Sequence, residues 1–315
     1  MHNRRCGASG LILPAVSLGA WANLGEAGGE DVARSCILRA FDLGITHFDL
    51  ANNYGDPPGN AEIVCGAVLA ELPRDAYVVA TKAGYPMWDG PYGSGGSRKH
   101  IIASCDQSLR RLGLEYVDIF YSHRPDPETP IDETVGALAT LVDQGKALYV
   151  GVSSYLGDRY TDAVEAAQRA GVPITIVQPY YNLLGRAIET ELIPRLSGAG
   201  IIAFAPLASG LLTGKYLDGR DPAGERAAIW PGRWVRSHAD EERVRLLNGL
   251  HEIAAARGQT LAQMAIAWAL RLPEMTSVVV GASRAEQIEQ NVASLDGLEF
   301  DDDELAAIDA LVGTD

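Results

Sequence analysis

Short apolar runs alternate with segments of helical period along nearly the whole chain. Eight such runs occur, at 13–19 (LPAVSLG), 46–51 (THFDLA), 77–82 (YVVATK), 116–123 (YVDIFYSH), 147–154 (ALYVGVSS), 174–180 (ITIVQPY), 201–207 (IIAFAPL) and 276–281 (TSVVVG). Each is rich in β-branched or aromatic residues, as strands buried on both faces should be. Amphipathic segments separate them at 34–44, 97–113, 130–145, 160–171, 188–200, 259–272 and 285–295. Several close on a glycine, a helix C-terminal signal. Ser97 is a candidate N-cap, and Pro130 opens its segment in the position where proline is tolerated. A further helix over 239–257 precedes the last strand–helix unit.

This alternation predicts parallel strands joined by right-handed crossovers. The competitor is an open, doubly wound sheet. A count of eight, with no G-x-G-x-x-G after the first strand, favours a closed (β/α)8 TIM barrel. The expected architecture is one α/β barrel domain over 1–315, with an N-terminal β-hairpin and a C-terminal helix. A long loop at 217–237 follows the seventh strand, and its Trp230 and Trp234 are candidate lid or subunit-packing aromatics. Arg4 and Arg5 precede an apolar stretch, and Ala20-Trp21-Ala22 resembles a cleavage site. Gly7, Gly10, Pro14 and Ser17 break that stretch, which reads as a hairpin followed by a strand.

In a barrel of this kind the chemistry lies at the C-terminal ends of the strands. Those ends carry Gly19, Asp49, Lys82, His123, Ser153 with Ser154, Gln178, Pro206 and Gly281. An unpaired polar group there would cost about 1–3 kcal/mol, so these residues are expected to satisfy one another or a ligand. Tyr54 lies five residues beyond Asp49 in FDLANNYG. An Asp49–Lys82 pair would fix a cation beside Tyr54, and a nearby ammonium is expected to lower a phenol from its usual value near ~10. Tyr54 then serves as a proton donor, and His123 points a ring N–H at the same oxygen. Taken singly, an Asp–Lys pair or a strand-end histidine is as often architectural as functional. Together they suit carbonyl reduction with a hydride supplied by a cofactor.

FDLANNYG (48–55), VVATKAG (78–84), DIFYSHRPD (118–126) and VVGASRAEQIEQN (279–291) are similar, in order, to the motifs of the aldo-keto reductases. The resemblance implies a barrel that binds NADPH/NADP+ without a Rossmann domain, and a catalytic tetrad of Asp49, Tyr54, Lys82 and His123. GPYGSGGSRK (90–99) resembles the branch holding L-glyceraldehyde 3-phosphate reductases, beside the potassium channel β-subunits. By the same carry-over Ser153 and Gln178 match the positions that hold the nicotinamide carboxamide, Phe204 the aromatic stacked on its ring, and Gly19 and Trp21 further cofactor-binding positions. Pro206, Leu207, Ser209, Gly210 and Lys215 match a pyrophosphate loop. Gly281, Ser283, Arg284, Gln287 and Asn291 match the adenosine end. Ser154 departs from the Asn or Arg common in the family, and Gln290 from a common Glu. Independently, Ser283 and Arg284 open a helix, an anion site suited to a 2′-phosphate.

On the substrate side, the loop 86–99 offers Met87, Trp88 and Tyr92 as pocket walls, with Trp21 as another. Ser97, Arg98 and Lys99 at a helix start are candidates for a substrate phosphate, with the alternative that the loop is merely flexible and N-capped. The implied substrate is a short aldehyde, with L-glyceraldehyde 3-phosphate and methylglyoxal as candidates. A channel β-subunit-like regulator that binds NADPH with little turnover is the alternative. A metal-dependent barrel hydrolase ranks third, because the first strand lacks a His-x-His pair. Family members suggest a homo-oligomer, tetramer or octamer.

Composition changes this picture little. The chain has 315 residues, 47% apolar and 21% charged, which suits a globular protein with a full core. Cys6, Cys36, Cys65 and Cys105 show no C-x-x-C spacing and read as reduced thiols of a cytoplasmic protein. The net charge of −15 argues against nucleic acid or an anionic membrane as partner. Residues 296–315 supply −8 of that charge, so the acidity says little about the barrel mouth.

Overall fold

The computed structural model describes residues 1–21, 23–25, 29–219 and 240–313. Its centre is a closed barrel of eight parallel strands. The strands are β3 (Val16–Gly19), β4 (His47–Asp49), β5 (Val78–Ala83), β6 (Val117–Ser122), β7 (Ala147–Ser153), β8 (Ile174–Gln178), β9 (Gly200–Phe204) and β10 (Met275–Val280). Each pairs with its sequence neighbours, and β10 closes on β3 through Val278↔Val16 and Val280↔Leu18. A barrel strand lies in each of the eight apolar runs, although the first run, 13–19, is divided, with Leu13 and Pro14 in a hairpin strand and Val16–Gly19 in the barrel.

The barrel is wrapped by α1 (Glu30–Asp42), α2 (Asn60–Leu69), α3 (Arg98–Leu112), α4 (Ile131–Asp143), α5 (Asp158–Ala170), the short α6 (Ile188–Glu191), α7 (Asp240–Ala256), α8 (Leu261–Ala269) and α9 (Ala285–Val292). The C-terminal α10 (Asp302–Val312) packs on α7. Local chemistry sets several of the ends. Ser97 accepts from the His100 amide to start α3, and Gly113 ends it at φ +68°, where a side chain would be strained. Capping boxes at Thr260/Gln263 and Asp301/Glu304 start α8 and α10.

Two expectations need correction. The segment 188–200 is not one helix. It is α6, a 3-10 turn at Ile193–Arg195 and then the first residue of β9, because Pro194 cannot continue the helix. Helix α2 was not expected at all. Its sequence NAEIVCGAVL is buried on several sides, so it lacks the one-sided pattern that marks a surface helix. The loop after the seventh strand, with Trp230 and Trp234, lies outside the described residues from 220 to 239.

The N-terminal hairpin pairs β1 (Asn3–Arg5) with β2 (Ile12–Pro14). It closes the barrel floor. Cys6, Leu11 and Leu13 join Ala80, Ile119, Tyr121, Ile176, Ile202 and Val279 in an interior apolar cluster, separate from the larger core between strands and helices. Gly151 makes room for that interior, since a Cβ there would lie 2.6 Å from the Tyr121 ring. Arg4 Nη1 donates to the carbonyls of Leu270 (2.8 Å) and Met275 (2.9 Å), fastening the hairpin to the barrel. All four cysteines are buried free thiols, and no described helix is long and apolar enough to cross a membrane.

Candidate active site

The polar strand ends converge at the opposite end of the barrel. Asp49 ends β4, and Lys82 lies one residue short of the end of β5. Lys82 is fully buried, and its Nζ donates to Asp49 Oδ2 (2.6 Å) and to the Leu50 carbonyl (2.7 Å). The other carboxylate oxygen accepts from Gln178 Nε2 at the end of β8 (2.9 Å). Ser153, which ends β7, donates to the Gln178 carbonyl (2.9 Å). One buried network thus ties four strand ends together. Burial pulls the Lys82 ammonium below its usual range, while the Asp49 carboxylate opposes that shift.

Tyr54 and His123 complete the group. The Tyr54 and His123 rings meet edge to face at 5.7 Å, and Lys82 Nζ lies 5.1 Å from the centre of the Tyr54 ring. The four residues expected to act together therefore do come together. Their electrostatics differ from expectation in one respect. Burial pushes the Tyr54 phenol well above its ordinary value, and the Asp49 and Tyr85 charges add to the rise. The Lys82 ammonium is engaged by Asp49 and Leu50, and the rise due to burial prevails. Burial also holds the His123 imidazole well below its usual range, reinforced by the charges of Lys82 and Arg124. At neutral pH the site therefore presents a protonated phenol beside a neutral imidazole.

Two residues missed in the sequence complete the wall. Tyr85, three positions past Lys82, packs edge-on against His123 at 4.7 Å. The Arg124 guanidinium lies over Tyr85 at 4.7 Å. His123 Nδ1 and both amide atoms of Asn52 are buried without a hydrogen-bond partner, so the mouth concentrates unsatisfied polar groups.

The cofactor candidates line the same rim. Gly19 ends β3 opposite Asp49, and a Cβ there would strike Val279 Cγ1 at 2.6 Å. Trp21 follows it, half-buried. Phe204 ends β9 and packs edge-on against Tyr180. Backbone strain gathers here. Among the described residues, the non-glycine residues with positive φ are Ser154 (+63°), Ala205 (+54°), Ala208 (+47°) and Ser209 (+55°). Each such residue costs on the order of 1–3 kcal/mol, and strain of this kind tends to gather at functional sites. Pro206 and Leu207 lead into the 3-10 turn Ala208–Thr213, which contains Ser209 and Gly210. Lys215 is exposed beyond it. Past β10 and Gly281, the Ser283 amide donates to Gln287 Oε1 (2.8 Å), and Arg284 sits exposed at the N-cap of α9. Asn291 is buried on α9.

The substrate-loop residues go elsewhere. Arg98 Nη1 donates to the Gly136 carbonyl (3.1 Å) and Nη2 to Thr140 Oγ1 (2.8 Å), both on α4. Lys99 Nζ lies over the Tyr92 ring at 5.0 Å. Trp88 packs on His100 of α3 at 4.9 Å. The loop is also fastened rather than loose. Gly96 N–H and Thr129 Oγ1 both donate to Asp126 Oδ2 (2.7 Å each), and Thr134 Oγ1 donates to the Gly96 carbonyl (2.8 Å). The expected role of Arg98 and Lys99 as phosphate receivers therefore gains no geometric support, because local partners engage both cations.

A buried Asp–Lys pair beside a protonated phenol and a neutral imidazole, in the mouth of a (β/α)8 barrel, defines an oxidoreductase that acts on carbonyl groups. Residues 15–312 match the model of the Aldo/keto reductase family, and the chain belongs to that family. It is 53% identical to an L-glyceraldehyde 3-phosphate reductase of Escherichia coli O157:H7, over 98% of this chain and 92% of that protein. It is 52% identical to the reductase of the same name from Escherichia coli strain K12, with the same coverage. A probable voltage-gated potassium channel subunit beta of Arabidopsis thaliana is 40% identical over 94% of this chain and 92% of its own length.

Proposed function

We propose that this chain is a single-domain NADPH-dependent reductase of short aldehydes, with L-glyceraldehyde 3-phosphate and methylglyoxal as candidate substrates. The observation that carries the reading is the intact Asp49–Lys82 pair beside Tyr54 and His123. The strained backbone at 205–209 and the exposed cations Lys215 and Arg284 fit a dinucleotide. Ser153, Gln178 and Phe204 would hold the nicotinamide, and Arg284 with Ser283 the 2′-phosphate. When bound, the nicotinamide supplies a hydride to the carbonyl carbon.

The protein's own part is the proton. Tyr54 keeps its proton because burial raises the phenol, and gives it to the carbonyl oxygen as that oxygen gains charge. An alkoxide is a far stronger base than a phenolate, so a raised phenol still transfers its proton. Neutral His123 donates a hydrogen bond that orients the carbonyl. Asp49 and Gln178 hold Lys82 against the Tyr54 ring, so the site needs no rearrangement to act. The four reduced thiols suit a cytoplasmic setting.

The test is an NADPH- and NADH-oxidation screen on phosphorylated and plain short aldehydes. Turnover with NADPH on at least one phosphorylated aldehyde is expected. Slow turnover on every aldehyde, with a stable membrane-protein complex, would favour the channel β-subunit-like reading suggested by the 40% relative.

A further inference from the structure

A cation other than those of the loop 86–99 stands at the barrel mouth. Arg124 follows His123 directly, and its Nε donates to the Gly84 carbonyl (3.1 Å). Its guanidinium lies over Tyr85, whose ring packs edge-on against His123, so Tyr85 bridges the cation and the imidazole. The Nε bond and the stacking fix the guanidinium plane. Nη1 and Nη2 have no hydrogen-bond partner among the described residues.

The neighbouring Asp126 carboxylate feels this charge but does not contact it. Asp126 Oδ2 accepts from Gly96 N–H and Thr129 Oγ1, and Oδ1 accepts from Glu128 N–H (3.1 Å). Burial alone would raise the Asp126 carboxyl, but those donors, with the charge of Arg124 after them, outweigh it and hold the group ionised. It forms no ion pair with Arg124 among the described residues. Arg98 differs, since both of its terminal nitrogens donate to α4.

We propose that Arg124 is the specificity-determining residue of this site and binds the phosphate of a phosphorylated aldehyde. A planar guanidinium with two open donors matches two oxygens of a phosphate monoester. Tyr85 joins His123 to this cation, so Arg124 is the cation that adjoins the site where the aldehyde oxygen would be held. An uncharged aldehyde of the same length makes no such contact. The inference rests on reading the site as an aldehyde reductase.

Calorimetry on the full chain with NADP+ tests it, using glycerol 3-phosphate as a non-reducible probe and glycerol as its uncharged counterpart. Arg124→Gln is expected to weaken glycerol 3-phosphate by about ten- to a hundredfold, the range for a charge-assisted hydrogen-bond pair. Arg124→Lys should recover part of that loss, and Arg98→Gln should leave binding within about twofold. In turnover, Arg124→Gln should lower kcat/KM for glyceraldehyde 3-phosphate relative to glyceraldehyde by a similar factor. Unchanged binding in Arg124→Gln, or an equal loss for both aldehydes, overturns the proposal, as does a loss confined to Arg98→Gln. If the wild type reduces no aldehyde, the reductase reading falls, and the calorimetry alone still decides the role of Arg124.

Discussion

The two ends of this barrel are built from the same eight strands and solve opposite problems. The floor is closed by a hairpin whose Cys6 and Leu13 are fully buried among apolar side chains. Its cations are paired: Arg4 caps two carbonyls, and Arg74 joins Asp118 while lying over Tyr77 and Tyr116. The mouth holds a buried ion pair, unpartnered polar atoms on His123 and Asn52, and strained backbone at Ser154, Ala205, Ala208 and Ser209. The difference shows where the fold gains its stability and where it gives some up to present chemistry.

The largest effects should come from one deletion at each end. Lys82→Met leaves the Asp49 carboxylate buried without its partner, a change that costs about 3–5 kcal/mol. It should abolish turnover as well. Leu13→Ala opens a cavity in the floor and should cost about 2–5 kcal/mol, with kcat and KM unchanged. Denaturant unfolding and steady-state kinetics on both variants read the contrast. Lost turnover in Leu13→Ala would mean that the two ends are coupled.

A smaller effect tests the layer between them. His47 lies two residues below Asp49 on β4, with Nδ1 2.8 Å from Ser17 Oγ, which is 2.6 Å from Ser277 Oγ. Burial lowers its imidazole to about 4, with Lys82 adding to the shift and Asp49 opposing it. The unfolded chain, with histidine near ~6.5, therefore takes up its proton first as pH falls. Stability is full above about pH 6.5 and declines toward pH 4, by on the order of 3 kcal/mol for this group. Urea unfolding from pH 7 to pH 4.5 should show that decline, flattened in His47→Gln. Equal slopes would place the loss in other groups.

The sequence made much of this legible because strand ends are a positional code. Eight apolar runs located Asp49, Lys82, His123, Ser153 and Gln178 at the mouth before any coordinate did. Side-chain direction was not legible. Arg98 and Lys99 open a helix, but the turn that starts α3 faces Arg98 toward α4. Arg124 and Tyr85 adjoin candidate site residues, and only the edge contact of Tyr85 with His123 and the cation over Tyr85 mark them. The Tyr54 phenol is raised rather than lowered: the strand ends bring Lys82 into reach, whereas burial, which prevails, is not written in the sequence.

The most direct measurement is NADPH oxidation by Tyr54→Phe with a phosphorylated short aldehyde, alongside NADPH binding by fluorescence. A turnover loss of about 10²–10⁴-fold is expected, the usual contribution of a positioned proton donor, with NADPH affinity retained. Turnover close to that of the wild type would contradict it.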